Sequence, residues 1–324
     1  MIVAILGGGS CFGFNLSKHL VERGDSVISI SRSPMPHPAL SLGLEDSQLF
    51  EHSVAHLVRD LPLIMDIFDE FTPEIIVNFA ALCELRTSFM FPEHYFETNT
   101  MAHVRLVKEL QSRSYLKKFI QMGTSELYGS VIGPATEESR ITCSSPYAAS
   151  KAAFDLHLEA VSKNDNFPGL ILRPSNGYCE GQRPYRIIPK TIISAIKGTR
   201  LQLEGGGMAK KSYLHGDDIS AAVMLLMEKG EIGEVYNAGA GDSITIRTLV
   251  ETVAGLLGRM RDDVAEDVPD RPGQDAQYWL DSTKINALGW APAVPITDGL
   301  RRMVEWVKAN PALLSMDSQY RHSE

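Results

Sequence analysis

The sequence predicts an α/β fold, a doubly wound parallel sheet with a smaller α/β lobe. Three observations predict it. Short β-branched runs alternate with amphipathic ones over the first half of the 324 residues, the pattern of βαβ units. A glycine-rich turn joins the first such run to the first amphipathic one. After residue 174 the alternation loosens and Gly, Pro and charge increase, which places a second lobe at the sheet's carboxyl edge, where open α/β folds bind ligands.

The strand candidates are 2–6 (IVAIL), 26–31 (SVISIS), 74–81 (EIIVNFAA), 118–123 (KFIQMG) and 169–173 (GLILR), with a weaker one at 52–58. Helical spacing, with apolar residues three and four apart, marks 13–23, 63–71 and 93–113. The expected division is 1–173 with 214–239 for the larger domain, and 174–213 with 240–324 for the lobe. Residues 303–314 read as an amphipathic helix and the stretch after them, SMDSQYRHSE, as a frayed tail.

Composition bounds the function. Hydrophobic content of 44% and charged content of 22% are ordinary for a soluble globular chain. No apolar run reaches the roughly 18 residues of a membrane span, and the opening MIVAILGGGSCFG reads as a strand and turn, not a signal peptide. A formal charge of −9 argues against a general nucleic-acid surface, so an anionic ligand needs a local basic cluster. Cys11, Cys83, Cys143 and Cys179 are scattered, as expected of reduced thiols in the cytoplasm. No metal site is expected: His52 and His56 are four apart but lack a third ligand. Asp217 and Asp218 read as a cap for the helix that follows them.

The chemistry starts at Gly7-Gly8-Gly9-Ser10-Cys11-Phe12-Gly13. Glycines at a strand–helix turn let the backbone approach a pyrophosphate at the helix N-terminus, the Rossmann arrangement. The second strand ends in Ser31 and Arg32, where an NAD site usually carries an acid. A guanidinium there pairs with a 2′-phosphate, which favours NADP, with NAD the alternative. Asp60 follows the third strand and is expected to meet the adenine. Asn78-Phe79-Ala80-Ala81 supplies a close-packed turn beside the cofactor. Tyr147 and Lys151 in SPYAASK share one helix face. A tyrosine becomes a usable base if an ammonium and a nicotinamide cation stabilise its phenolate, with Thr124 upstream.

These segments together resemble the extended short-chain dehydrogenase/reductase group that modifies nucleotide sugars. The resemblance also takes in LRPSNGY (172–178), YLHGDDIS (213–220), GEVYNAG (233–239) and DRPGQDAQYWLDSTKINALGW (270–290). It implies a Rossmann domain with a sugar-nucleotide lobe, a tightly held and recycled cofactor, and a homodimer packed through two long helices per subunit. Cofactor contacts are implied at Gly7, Ser10, Cys11, Phe12, Gly13, Leu61 and Asn99. Substrate contacts are implied at Ser125, Asn176, Arg186, Lys211 and Arg271.

Within that group GTSELYG (123–129) resembles the 4,6-dehydratases, which place a glutamate where epimerases carry a small or neutral residue. The resemblance implies transient oxidation at C4, with Tyr147 taking the 4-hydroxyl proton. Glu126 then removes the C5 proton, water leaves C6 and hydride returns there. The dTDP-glucose enzymes carry an Asp before this Glu. Ser125 stands there instead, as in the Thr-Ser-Glu of GDP-mannose 4,6-dehydratases, where one glutamate handles both proton transfers. UDP-glucuronate decarboxylases share the triple, so decarboxylation stays open beside 4-epimerisation and an NADPH-dependent 4-ketoreduction.

Overall fold

The computed structural model describes residues 1–241, 243–270, 275–320 and 322. Its core is a seven-stranded sheet built from β1 (Ile2–Leu6), β2 (Ser26–Ser31), β3 (Phe50–Val54), β4 (Ile75–Asn78), β5 (Lys118–Met122), β6 (Gly169–Pro174) and the strand Val235–Ala238. The order is Val235–Ala238, β6, β5, β4, β1, β2, β3, and every pairing is parallel. The chain order reverses direction between β1 and β4, the point at which doubly wound sheets open a crevice.

The strands are apolar runs because both faces are covered. On one face Leu16 and Leu20 of the helix Cys11–Glu22 pack with Ala222, Val223 and Leu226 of the helix Gly216–Lys229. On the other, Ile64 and Phe68 of Leu61–Phe71 pack with Leu106, Phe154 and Leu158. The helix expected over 93–113 is Pro92–Phe96 and Ala102–Leu110 joined by a π turn at Glu97–Met101. The weak third strand begins and ends earlier than its expected 52–58.

Among the described residues, three two-stranded pairings lie beyond the sheet: Asn176–Tyr178 with Tyr213–His215, Leu201–Glu204 with Ala265–Val268, and Lys210–Lys211 with Ile244–Thr245. The helices Ile187–Lys197, Ile246–Leu256 and Ile296–Ala309 share a separate core around Ile192, Leu249, Val253, Leu300 and Val304. Two sequence expectations are corrected here. The N-cap of Gly216–Lys229 is His215, whose Nδ1 accepts from the Asp217 amide at 3.2 Å, so neither aspartate caps it. Asp217 instead binds Asn15, His19 and Arg302, and Asp218 accepts from the Ala293 and Val294 amides. Nor is the end of the chain frayed where it is described. Tyr320 packs edge-on against Tyr185, and His322 stacks on Phe91.

Candidate active site

Six loops leave the carboxyl ends of β1 to β6 and meet the lobe around one cavity of about 870 Å³. Each wall is set by local chemistry. After β1 the chain turns at Gly7, whose φ of +71° suits glycine. A Cβ there would fall 2.6 Å from the Ala80 nitrogen, so the β1 and β4 turns touch backbone to backbone. Ser10 caps the helix Cys11–Glu22 by accepting from the Gly13 amide at 3.1 Å, and no acid stands in that helix's first turn. Gly9, Ser10, Cys11 and Phe12 therefore present a positive helix end to the cavity. Gly13 lies behind them: a Cβ on it would meet the Gly8 Cα at 2.6 Å, so its part is close packing.

At the end of β2 Ser31 and Arg32 line the cavity, with Arg32 exposed. His52 holds this corner, its Nδ1 2.9 Å from the Ser29 Oγ and its Nε2 3.0 Å from the Ser33 carbonyl oxygen. At the end of β3 the cavity is lined by other residues than the expected pair. His56 and Leu57 line the cavity, whereas Asp60 and Leu61 do not. Asp60 is the residue before the helix Leu61–Phe71, and its carboxylate accepts from the His56 amide at 2.8 Å. Leu61 packs on the core. Burial, and then the cations Arg59 and Arg32, lower the His56 pKa. The sequence signal for His56 at this wall is its place just past the strand end.

Ala80 and Ala81 line the cavity after β4, where the Ala80 amide is held by Asn78 Oδ1 at 3.1 Å. Asn99 does not line the cavity. It is fully buried and spends its amide on the Leu82 backbone, at 2.8 and 2.9 Å, and on the Ser150 hydroxyl at 3.0 Å. It fixes the loop that lines the cavity and ties it to the helix carrying Tyr147.

The next wall comes from β5 and the helix Pro146–Asn164. Thr124, Ser125 and Glu126 follow β5 in a single 3-10 turn, with Thr124 Oγ1 accepting from the Glu126 amide at 3.2 Å. Ser145 caps the long helix through the Ala148 amide, with Pro146 in its first turn, so Tyr147 and Lys151 project from a rigid first turn and a half. Thr124, Ser125, Glu126, Tyr147 and Lys151 all line the cavity. Lys151 is 2% exposed and donates to the Met122 carbonyl oxygen at 2.6 Å. Burial lowers its pKa, with Asp155 acting against that. Burial, and then the Glu126 carboxylate, push the Tyr147 phenol far above its ordinary value, while the Thr124 hydroxyl and Arg186 pull it back. Glu126 and Thr124 thus act on Tyr147 across a single wall that Ser125 and Lys151 share.

Facing them, the lobe brings in Asn176, Arg186 and Lys211. Arg186 Nη2 donates to the Cys83 thiol at 2.7 Å, and its guanidinium lies 5.4 Å from the Tyr185 ring centre. Lys211 Nζ lies 4.8 Å over Tyr278. Among the described residues, Asn176 Oδ1 and Ser175 Oγ are buried at this cavity without a hydrogen-bond partner, as expected of groups that a polar ligand satisfies. Arg271 lies outside the described residues. Arg173, from the LRPSNGY stretch, is structural: buried, it binds Asp155 at 3.0 Å and the Tyr128 hydroxyl at 3.0 Å.

A family model described as GDP-mannose 4,6 dehydratase matches residues 5–303. The low-salt glycan biosynthesis protein Agl12 of Haloferax volcanii is 30% identical over 94% of this chain and 98% of its own length. A dTDP-glucose 4,6-dehydratase of Streptomyces niveus is 36% identical over 74% of this chain and 71% of its own. Among solved structures, DesIV of Streptomyces venezuelae, a dTDP-glucose 4,6-dehydratase with NAD and TYD bound, superposes with a TM-score of 0.90. It is 29% identical, covering 96% of this chain and 98% of that one. A match running through both the glycine turn and the lobe means that the chain belongs to the GDP-mannose 4,6 dehydratase family, within the extended short-chain dehydrogenase/reductase group.

Proposed function

We propose that this chain is a nucleotide-sugar 4,6-dehydratase that makes a 4-keto-6-deoxy sugar nucleotide. The observation that carries the reading is the wall of Thr124, Glu126, Tyr147 and Lys151 on one cavity, in a chain whose relatives include dTDP-glucose 4,6-dehydratases.

The cavity fits a nicotinamide dinucleotide. Gly7, Ser10, Cys11 and Phe12 would take the pyrophosphate at a helix end free of acids in its first turn, and Tyr147 with Lys151 would lie at the nicotinamide ribose. Ser31 and Arg32 would take the adenosine ribose, with no carboxylate from Ser31 to Ser33 to repel a 2′-phosphate, which supports NADP over NAD. His56 and Leu57 would flank the adenine. The bound nicotinamide supplies a reversible hydride acceptor. The chain's own residues move the protons. Tyr147 takes the proton of the 4-hydroxyl, Thr124 holds the 4-oxygen, and the Lys151 ammonium favours the phenolate. Glu126 removes the C5 proton, made acidic by the 4-ketone, and delivers it to the departing 6-hydroxyl, which leaves as water; as hydride returns to C6, C5 regains a proton that balances the one Tyr147 took, so no net redox change remains. Ser125, buried beside it, carries no proton for that step, so one carboxyl serves twice. Asn176, Arg186, Lys211 and Arg271 would hold the diphosphate and nucleoside.

The reading includes a larger domain of 1–173 with 214–239 and a lobe of 174–213 with 240–324. It also includes a homodimer, supported by exposed Phe96, Met101 and Leu156 along the 92–110 and 146–164 stretches. Cytoplasmic residence is supported by four free cysteines, and no helix among the described residues is long and apolar enough to cross a membrane.

The test incubates the purified protein with a panel of nucleotide sugars and no added cofactor, and records product masses. Loss of one water from a single substrate, abolished in Glu126→Gln, is expected. Loss of carbon dioxide from a uronic acid nucleotide, an unchanged mass with altered retention, or turnover only with added NADPH would each overturn it. Those outcomes mean a decarboxylase, an epimerase and a reductase respectively.

A further inference from the structure

Two of the free thiols lie together where the lobe meets the glycine turn. Cys11 opens the helix Cys11–Glu22 and lines the cavity, whereas Cys179 is buried just past the strand Asn176–Tyr178. The lobe chain folds onto that helix. The Gln182 amide donates to the Cys179 carbonyl oxygen at 3.2 Å, and a Cβ on Gly181 of this turn would lie 3.7 Å from the Cys11 Cβ. One helical turn on, a Cβ on Gly216 would fall 2.6 Å from the Cys179 Cβ and 3.3 Å from the Asn15 Cγ. Asn15 is four residues after Cys11, so Cys179 packs against the helix face that the two share, and the thiols meet there. The other two cysteines stand apart. Cys83 accepts from Arg186, and Cys143 donates to the Leu127 carbonyl oxygen at 3.7 Å.

Resting on the reading of the glycine turn as the cofactor's pyrophosphate site, we propose that Cys11 and Cys179 are a redox pair, which a peroxide converts to a disulfide tying that turn to the lobe. Cys11 is the attacking thiol. It stands at a helix N-terminus open to the cavity, where a thiolate is favoured. The Cys179 thiol, then Arg186, the Phe12 amide and Arg183, hold its pKa below the ordinary value against burial. Burial pushes the Cys179 thiol well up, so Cys179 is the resolving partner. The Cys11 sulfur attacks one peroxide oxygen, the O–O bond breaks, and a sulfenic acid and one water result. The Cys179 sulfur then displaces the hydroxyl from the sulfenic sulfur, and its proton leaves with that hydroxyl as a second water. Two thiols lose two electrons and one peroxide gains them. The bond joins the first turn of the helix to a lobe segment on the facing wall, so a dinucleotide held between them should leave more slowly.

The test treats the full chain with hydrogen peroxide and maps its thiols by peptide mass, beside Cys11→Ser, Cys179→Ala and Cys83→Ser, each checked by thermal melt. The parent and Cys83→Ser should lose two hydrogens and give one joined peptide carrying Cys11 and Cys179, separated again by dithiothreitol. Neither Cys11→Ser nor Cys179→Ala should give it. Exchange of bound dinucleotide for labelled NADP or NAD, followed in the parent before and after oxidation, should slow roughly fivefold or more and recover on reduction. Oxidation of Cys11 to sulfinic acid with Cys179 still a thiol would overturn the proposal. So would a disulfide through Cys83 or Cys143, both thiols left intact, or a joined peptide with exchange unchanged. A parent that forms the disulfide and binds neither dinucleotide removes the cofactor reading, and the redox pair still stands.

Discussion

The reacting wall and the facing lobe are built on different principles. Thr124, Glu126, Tyr147 and Lys151 hang from a central strand and from one capped nineteen-residue helix, so few torsions separate them from rigid backbone. Asn176, Arg186 and Lys211 come from a three-residue strand, a helix start and a two-residue strand. Chemistry that needs placement within about 0.5 Å sits on long elements. Under the proposed reading, recognition of a flexible, charged ligand is assembled from short ones, by long cationic side chains that reach.

That contrast can be broken or sharpened by measurement. The largest expected effect is on the reacting wall: Glu126→Gln should lower dehydration by about 10²- to 10⁴-fold. Calorimetric nucleoside diphosphate affinity should stay near that of the parent. An equal loss in binding would show that Glu126 holds substrate and does not move its proton.

Next comes the support beneath that wall. Arg173→Met leaves Asp155, 0% exposed beside the guanidinium, without its cation, at a cost of about 3–5 kcal/mol in urea unfolding. No loss would mean that the wall does not depend on this buried pair.

A third measurement varies pH. His103 is fully buried near Lys151, and burial, then that ammonium, push its pKa down to about 3. A depressed folded pKa gives stability that is present above the unfolded value near 6.5 and lost as pH falls towards 3. The slope is about 1.4 kcal/mol per pH unit. Unfolding of the parent at pH 7, 5 and 4 should steepen by that amount relative to His103→Leu, and parallel curves would contradict it.

The smaller effects concern ligand choice. Arg32→Glu should shift cofactor preference from NADP to NAD by roughly tenfold or more, read as the ratio of the two dissociation constants. An unchanged ratio would assign the adenosine end to other residues. Smallest of all, Lys211→Met removes a half-buried ammonium and should raise substrate KM by no more than about fivefold. A larger loss would place Lys211 on a par with the reacting wall and dissolve the contrast.

Much of this was legible in the sequence where the information is local. The five apolar runs, the glycine turn and the Tyr147–Lys151 spacing depend on periodicities that the chain carries in itself. Positions one loop away were harder to read. Asp60 was the natural acid to set at the adenine, yet it sits one turn beyond the strand end, bound to the His56 amide, and His56 takes the cavity position. Asn99 belongs to a π turn, which changes the face a side chain takes and cannot be counted from a 3.6-residue spacing. The segment after residue 316 looked frayed because its own composition offers no core. Its partners Tyr185, Phe91 and His94 stand more than a hundred residues away.

By itself, then, the sequence determined the doubly wound sheet, the glycine turn after its first strand and the shared helix face of Tyr147 and Lys151. These follow from hydrophobic period, glycine sterics and helical spacing, all of which act over a few neighbouring residues. Only the tertiary structure decided which residues at each strand end face the cavity, that Arg173 is buried support, and that Tyr320 reaches the cavity. Those outcomes depend on contacts between distant segments, where burial and packing fix a side chain's direction.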